Sequence, residues 1–242
     1  MGHYPEFFIP PNGQPSDPAS TLTGMLVLAN TPTSEQRKEL TRIAQEGLLT
    51  ALLASINLDD QLIAEIALAS FRHPLGFDKI VLASRYPEAQ VRLHLWRHAN
   101  VTNVEHIHDH RYAFSSVVLV GSMQAKIYAP HDSGPSFSEF IETSEPGSGT
   151  WKMSPNGTTT IACTKSIYLV SGQAYSMTPE SLHQVIPPSE FSATLLLENR
   201  HLRKSTRVLA PLGEMPNRMP QHVAMNEFEV RRALCELINA IK

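Results

Sequence analysis

Three of the eleven histidines in this 242-residue chain stand at alternate positions in one short stretch, Glu105-His106-Ile107-His108-Asp109-His110. A neutral imidazole nitrogen is a common ligand for divalent transition metals, so the stretch is a candidate metal centre. In an extended strand, residues i, i+2 and i+4 point to one face, which lines up His106, His108 and His110. Neighbours on that face are ~7 Å apart at the backbone and the outer two ~13 Å apart. One ion is therefore shared by an adjacent pair, and the third histidine stands outside it. The competing reading is a strand with scattered surface histidines.

An apolar run, Phe114 to Val120, follows the histidines and ends at Gly121. The stretch resembles the first motif of the cupin superfamily: His-x-His, three or four residues, usually Glu, six residues, then Gly. Here His108-Asp109-His110 is followed by three residues, Phe114, six residues and Gly121, with Phe114 where the motif has its glutamate. The resemblance implies that His108 and His110 are the metal pair and that His106 stands behind them. The superfamily's second motif supplies a histidine from a later strand. The segment "GQAYSMTPESLHQV", Gly172 to Val185, is similar to it and implies His183 as the third ligand.

Within the superfamily, Ile107 to His110 and Leu182 to Val185 resemble the thiol dioxygenases, cysteine dioxygenase above all. That likeness implies a mononuclear non-heme Fe(II) oxygenase with dioxygen as co-substrate. The expected substrate is a small, anionic, amino-acid-like molecule. An arginine from an earlier strand, Arg85 or Arg92, would bind the substrate's carboxylate. Arg111, directly after the ligand pair, is a further candidate, since a guanidinium grips a carboxylate through two parallel hydrogen bonds. Tyr112, Tyr168 and Tyr175 are candidates to supply a hydroxyl, and Tyr175 is the one expected to act in catalysis. Two other classes stay open: a redox-neutral isomerase or lyase using Zn, Mn or Ni as Lewis acid, and a cupin that only binds a small ligand.

The elements that must position these residues are mostly strands. Residues 1–22 are rich in Pro, Gly and Ser and read as a mobile arm ahead of one domain, 23–242. Thr33 and Gln36 suggest a capping box at the head of a long helix, and Asp59 or Asp60 starts a second, so helices occupy 33–71. From 77 to 210, short runs of Val, Ile, Leu, Thr and Tyr between turn residues argue for an antiparallel barrel of the jelly-roll type. Segment 129–150 reads as a loop insertion, and 210–222 as a connector. A C-terminal helix, 226–241, places Phe228, Leu234, Leu237, Ile238 and Ile241 on one face. In the strand before the histidines, Arg92, His94 and Trp96 alternate with Val91, Leu93 and Leu95, so one polar face looks into a barrel lumen or into solvent. Glu198 and Arg200 suggest an ion pair on the last barrel strand, and Cys163 a buried apolar position.

Composition narrows the partners. A formal charge of -3, from 20 basic and 23 acidic residues, offers no general attraction for nucleic acid. No apolar stretch reaches the ~18 residues of a membrane span. Two cysteines without metal-type spacing fit a reducing cytoplasm. A small-molecule substrate is the expected partner, and the chain is expected to be a monomer or a homodimer.

Overall fold

The computed structural model describes residues 17–73, 76–97, 105–144, 151–186, 190–216 and 223–241. It is mainly β, with a helical block on one side of a double-sheet jelly roll.

Four helices precede the sheets: α1 (Pro18–Leu28), α2 (Thr33–Gln45), α3 (Leu48–Leu58) and α4 (Asp60–Ala69). The expected arm therefore gives way to helix at Pro18, where the Asp17 carboxylate accepts from Ser20 N at 3.1 Å; residues 1–16 lie outside the described residues. The expected long helix breaks at Gly47, whose φ of 68° is a left-handed conformation that glycine adopts without penalty. The capping box at Thr33 does not form. Gln36 is instead fully buried, and its amide donates to Ala29 O, Thr31 O and Asn199 Oδ1.

The strands are β1 (Phe71–His73), β2 (Phe77–Arg85), β3 (Ala89–Trp96), β4 (Ile107–His108), β5 (Tyr112–Val120), β6 (Ser122–Pro130) and β7 (Ser136–Ser144). After them come β8 (Trp151–Val170), β9 (Ala174–Met177), β10 (Leu182–Ile186), β11 (Ser192–His201), β12 (Ser205–Pro211) and β13 (Val223–Ala224), and helix α5 (Glu227–Ala240) closes the chain. One antiparallel sheet runs β13-β1-β2-β3-β11-β5-β9; the other, β10-β4-β12-β7-β8-β6, closes on itself. Strand β7 occupies most of the stretch expected as a loop, because turn residues on both sides mask the pattern that buries Phe140 and Glu142. The short runs expected after residue 150 join into one 20-residue strand, β8, with a bulge near Pro155. Cys163 is exposed on that strand.

The alternation in β3 has its consequence here. Val91, Leu93 and Leu95, with Ile80, Leu82, Val117, Leu119, Leu195 and Leu197, pack against Leu40, Leu53, Ile56, Ile63 and Ile66 of the helices and Val230, Leu234 and Leu237 of α5. Each such side chain contributes roughly 1.5–3 kcal/mol by leaving water. Phe228, expected on the same face of α5, is 71% exposed; the Asn226–Glu229 capping box starts the helix just before it, and Val230 faces the core. The opposite face of the first sheet looks into the space between the sheets, where Tyr112, Phe114 and Leu196 meet Ala125 and Ile127 of the second. Lys79, Arg92, His94 and Glu198 share that inward face by strand alternation. Gly121 makes the turn from β5 to β6 at φ 71°; a Cβ there would stand 2.6 Å from Phe191 O and 2.3 Å from Ser192 Oγ.

Candidate metal centre

Two neighbouring strands of the second sheet carry His108 and His183, and His110 follows the first of them. In the β4–β10 pair, His108 lies directly opposite His183, and His110 follows two residues after His108 with its N–H donating to Pro179 O at 3.1 Å. One ring nitrogen from each of His108, His110 and His183 falls within 4.8 Å of the other two. The outside position belongs to His106. Its carbonyl accepts from His108 Nδ1 at 2.9 Å, and Ser181 O accepts from His183 Nδ1 at 3.0 Å. With Nδ1 donating, Nε2 of both rings presents a lone pair toward the centre.

Burial keeps the His110 and His183 rings neutral. Desolvation, with His108 beside it, takes the His183 imidazole down to about 3 against the help of the Ser181 bond. Desolvation, then His183, His108 and Arg92, hold His110 well below its ordinary value. Among the described residues no Nδ1 bond fixes the His110 tautomer, so in the metal-free chain its Nε2–H donates to the His183 Nε2 lone pair, and a bound cation takes the place of that proton. An ion bound ~2.1 Å from each nitrogen sets neighbouring ligand atoms ~3.0–3.4 Å apart. His110 Nε2 and His183 Nε2 are 3.3 Å apart. The residues present therefore fit a single divalent transition metal, with nitrogen donors that suit Fe, Zn or Ni.

Between the two β-face histidines, Asp109 points the other way and is wholly buried. It accepts from Arg203 Nη1 at 2.9 Å, Arg207 Nε at 2.8 Å and Arg207 N at 2.7 Å. Arg203 Nη1 also donates to Pro179 O at 3.1 Å, so the carboxylate ties the His110 turn to β12. Sequence reasoning missed this anchor. Its signal was the middle position of His-x-His, which must face away from the metal and bury a charge that needs cations.

On the other side of the centre lies the inward face of the first sheet. The Tyr112 ring stacks on His110 at 5.1 Å, and its hydroxyl accepts from Arg92 at 2.6 Å. Arg92 is 4% exposed and pairs with Glu198 through its other terminal nitrogen; Glu198 accepts from His201 at 2.6 Å. His201 stacks on Tyr112 at 4.9 Å. Burial raises the Glu198 carboxyl, but Arg92 and His201 outweigh it and hold it down to about 2. His201 was also missed, because it reaches Tyr112 only through the β5–β11 register. The expected Glu198–Arg200 pair does not form: a register shift between Glu198 and His201 turns Arg200 out to Glu88 at 3.3 Å.

The expected arginines separate. Arg85 is exposed at the end of β2, at the head of the β2–β3 turn, so strand position removes it from the lumen. Arg92 is inside, with its Nε buried and without a hydrogen-bond partner among the described residues. Arg111 is partly buried and near enough to act electrostatically on Lys79, Tyr112 and Glu142. Lys79 faces the same space, where desolvation and Arg92 take its amine down to about 7. The Tyr175 hydroxyl points to Met123 Sδ at 3.8 Å, with the Phe114 ring between Tyr175 and the histidines. Glu105 is nearly buried at the edge of the centre, its Oε1 3.9 Å from His108 Nε2. Desolvation raises its carboxyl against the pull of His108 and Val185 N.

No family model matches the chain, and no curated protein does. Among solved structures, a cupin-superfamily protein from Desulfitobacterium hafniense is similar at 10% identity and a TM-score of 0.29, over 50% of this chain and 75% of that one. Hydroxypropylphosphonic acid epoxidase from S. wedmorenis is similar at 12% identity and a TM-score of 0.31, over 74% and 97%. A DMSP lyase is similar at 16% identity and a TM-score of 0.32, over 60% of this chain; the chain spans about half of that protein, 53%.

Proposed function

We propose that the protein is a mononuclear non-heme Fe(II) oxygenase that acts on a small anionic, amino-acid-like substrate. The observation that carries this reading is the convergence of three imidazoles, from His108, His110 and His183, beside an inner wall that holds Arg92 and Lys79. When bound there, the iron would supply open coordination positions where dioxygen and substrate meet. The chain's own residues do the rest. Carbonyls of residues 106 and 181 hold the rings by their Nδ1 protons, and Asp109 fixes the turn between the first two ligands.

Arg92 is held rigid by Glu198 and Tyr112, and its Nε–H and the Lys79 amine are donors left for a substrate anion. Two basic side chains, Lys79 and Arg92, act on the Glu198 carboxylate on this wall. A low-dielectric space with surplus positive charge favours an anionic ligand. Phe114, Met177 and Leu196 exclude water from the adjoining volume. Two free cysteines fit a cytoplasmic setting.

The test is an oxygen-electrode assay on Fe(II)-loaded protein with a panel of thiols, amino acids and keto acids, beside the His183→Ala variant. Uptake that depends on one class of substrate and disappears in the variant is expected. Silence with iron, and turnover with Zn, Mn or Ni in the absence of oxygen, would replace this reading with the redox-neutral one.

A further inference from the structure

The motif position that usually carries a carboxylate is Phe114 here, a buried ring set edge-on to His110 at 5.1 Å. The centre nevertheless has a carboxylate beside it, from another place in the chain. Glu105 lies three residues before His108, so strict strand alternation would turn it to the opposite face. The strand β4 is only two residues long, however, and Glu105 precedes it. Gln184 Nε2 donates to Glu105 O at 2.6 Å and draws the chain across β10, the strand that carries His183. One carboxylate oxygen, Oε2, then accepts from Val185 N, two residues beyond His183.

That bond fixes the head group and leaves Oε1 facing the centre, 3.9 Å from His108 Nε2. That distance sets Glu105 beside His108; the ligand atoms that all lie within 4.8 Å of one another are the nitrogens of His108, His110 and His183, and a Glu105 oxygen is not among them. Two ligand atoms ~2.1 Å from one ion are separated by at most ~4.2 Å, so Glu105 and His108 are within reach of the same ion. Charge points the same way. Among the described residues, the ion-pair neighbour of Glu105 is the His108 ring, a ring whose Nε2 lone pair is aimed at the metal position. A nearly buried carboxylate with one backbone donor and no fixed cation calls for a positive charge close by.

Resting on the metal-centre reading above, we propose that Glu105 is a fourth protein ligand, which makes the donor set three imidazoles and one carboxylate. The set departs from the three-histidine site implied by the thiol-dioxygenase likeness, and the carboxylate comes from the strand's approach, not from position 114. A carboxylate ligand lowers the charge of the bound ion by one and takes one open position. It selects a substrate that occupies fewer positions on the ion.

The test is a Co(II) titration of the full chain against a chromophoric chelator, for wild type, Glu105→Gln and His183→Ala. Glutamine keeps an oxygen for Val185 N, so the metal-free melting temperature is expected to stay near that of wild type. Co(II) affinity is expected to fall tenfold or more, with altered visible absorption bands. In wild-type protein carrying 13C at its glutamate carboxyl groups, Zn(II) is expected to shift the Glu105 resonance strongly; an unmoved resonance overturns the proposal whatever the variant does. Wild-type affinity and spectrum in Glu105→Gln, with binding lost in His183→Ala, would overturn Glu105 alone. Binding undiminished in His183→Ala would remove the metal centre and Glu105 with it.

Discussion

Replacing Asp109 by alanine tests whether the anchor behind the histidines holds both fold and centre. The carboxylate is completely buried, and three donors are lost with it: Arg203 Nη1, Arg207 Nε and the backbone N–H of Arg207. Removing one side of a buried ion pair costs about 3–5 kcal/mol. The two arginine side chains are 28% and 30% exposed, so water partly replaces the lost bonds and the lower figure applies. About 3 kcal/mol in a protein of this size corresponds to roughly 6–12 °C in melting temperature. Asp109→Asn keeps an oxygen for Arg207 N and is expected to lose about half as much. Because the turn between His108 and His110 is loosened, metal affinity is expected to fall about 10–100-fold in the alanine variant. The assays are thermal unfolding by circular dichroism and a metal titration. Melting within about 1 °C of wild type, with unchanged metal affinity, would refute the anchor; a large melting shift with unchanged affinity would refute only its role in placing the ligands.

The pH dependence of the metal-free protein follows from the depressed imidazoles. His183 titrates near 3 when folded and near 6.5 when unfolded, so between these values the unfolded chain binds more protons. Stability is therefore complete above pH 6.5 and lost as pH falls toward 3, by about 2 kcal/mol at pH 5 for this group; chelator-treated His183→Gln should show a flatter profile in urea unfolding, and equal slopes would contradict it. Gly121→Ala adds a Cβ 2.6 Å from a backbone carbonyl at φ 71° and should cost about 3 kcal/mol, whereas Gly213→Ala, at φ 81° with nothing within 4 Å, should cost only the 1–2 kcal/mol or so of the backbone conformation. Equal melting shifts for the two glycines would show that the close approach to Phe191 is unimportant. Glu198→Ala strands Arg92 in the interior and should cost about 3–5 kcal/mol, while the double variant Glu198→Leu with Arg92→Met should recover much of it; a double variant no better than the single would show that packing, not charge, sets the loss.

The residues whose partners are near in sequence were the most legible. His108 and His110 are two residues apart, and the distance to Gly121 gives their register, because the turn of β5 into β6 admits only a glycine there. Alternation in β3 marked Arg92 and His94 as one face, and the helices on the other face turn that polarity inward. What could not be read depended on long-range register. β12 carries Arg207 to Asp109 across 98 positions, and its own alternation is short and interrupted by charge. β7 was hidden by flanking Pro, Gly and Ser, which also mark loops. His201 finds Tyr112 only because β11 pairs with β5, and Glu105 reaches the centre only because Gln184 pulls the chain out of strand alternation.

The same long-range contacts join the two sheets mechanically. His110 is held on one side by Arg203, one of Asp109's partners, through the Pro179 carbonyl and on the other by the Tyr112 ring. Tyr112 is in turn fixed by Arg92 and by the His201 ring, and both of these rest on Glu198. A displacement of Arg92, such as a substrate anion would impose by competing for its donors, therefore passes through one hydrogen bond and one ring stack to a metal-facing imidazole. His108 and His183 lack that connection: their Nδ1 protons end on the backbone carbonyls of His106 and Ser181, at the approaches to β4 and β10. The three histidines are thus unequal, two set by rigid backbone and one by side chains that line the substrate space. If substrate occupancy changes the metal's surroundings, the change enters through His110. Tyr112→Phe, which keeps the ring and cuts the tie to Arg92, is the substitution that separates the two sheets while leaving every proposed ligand in place.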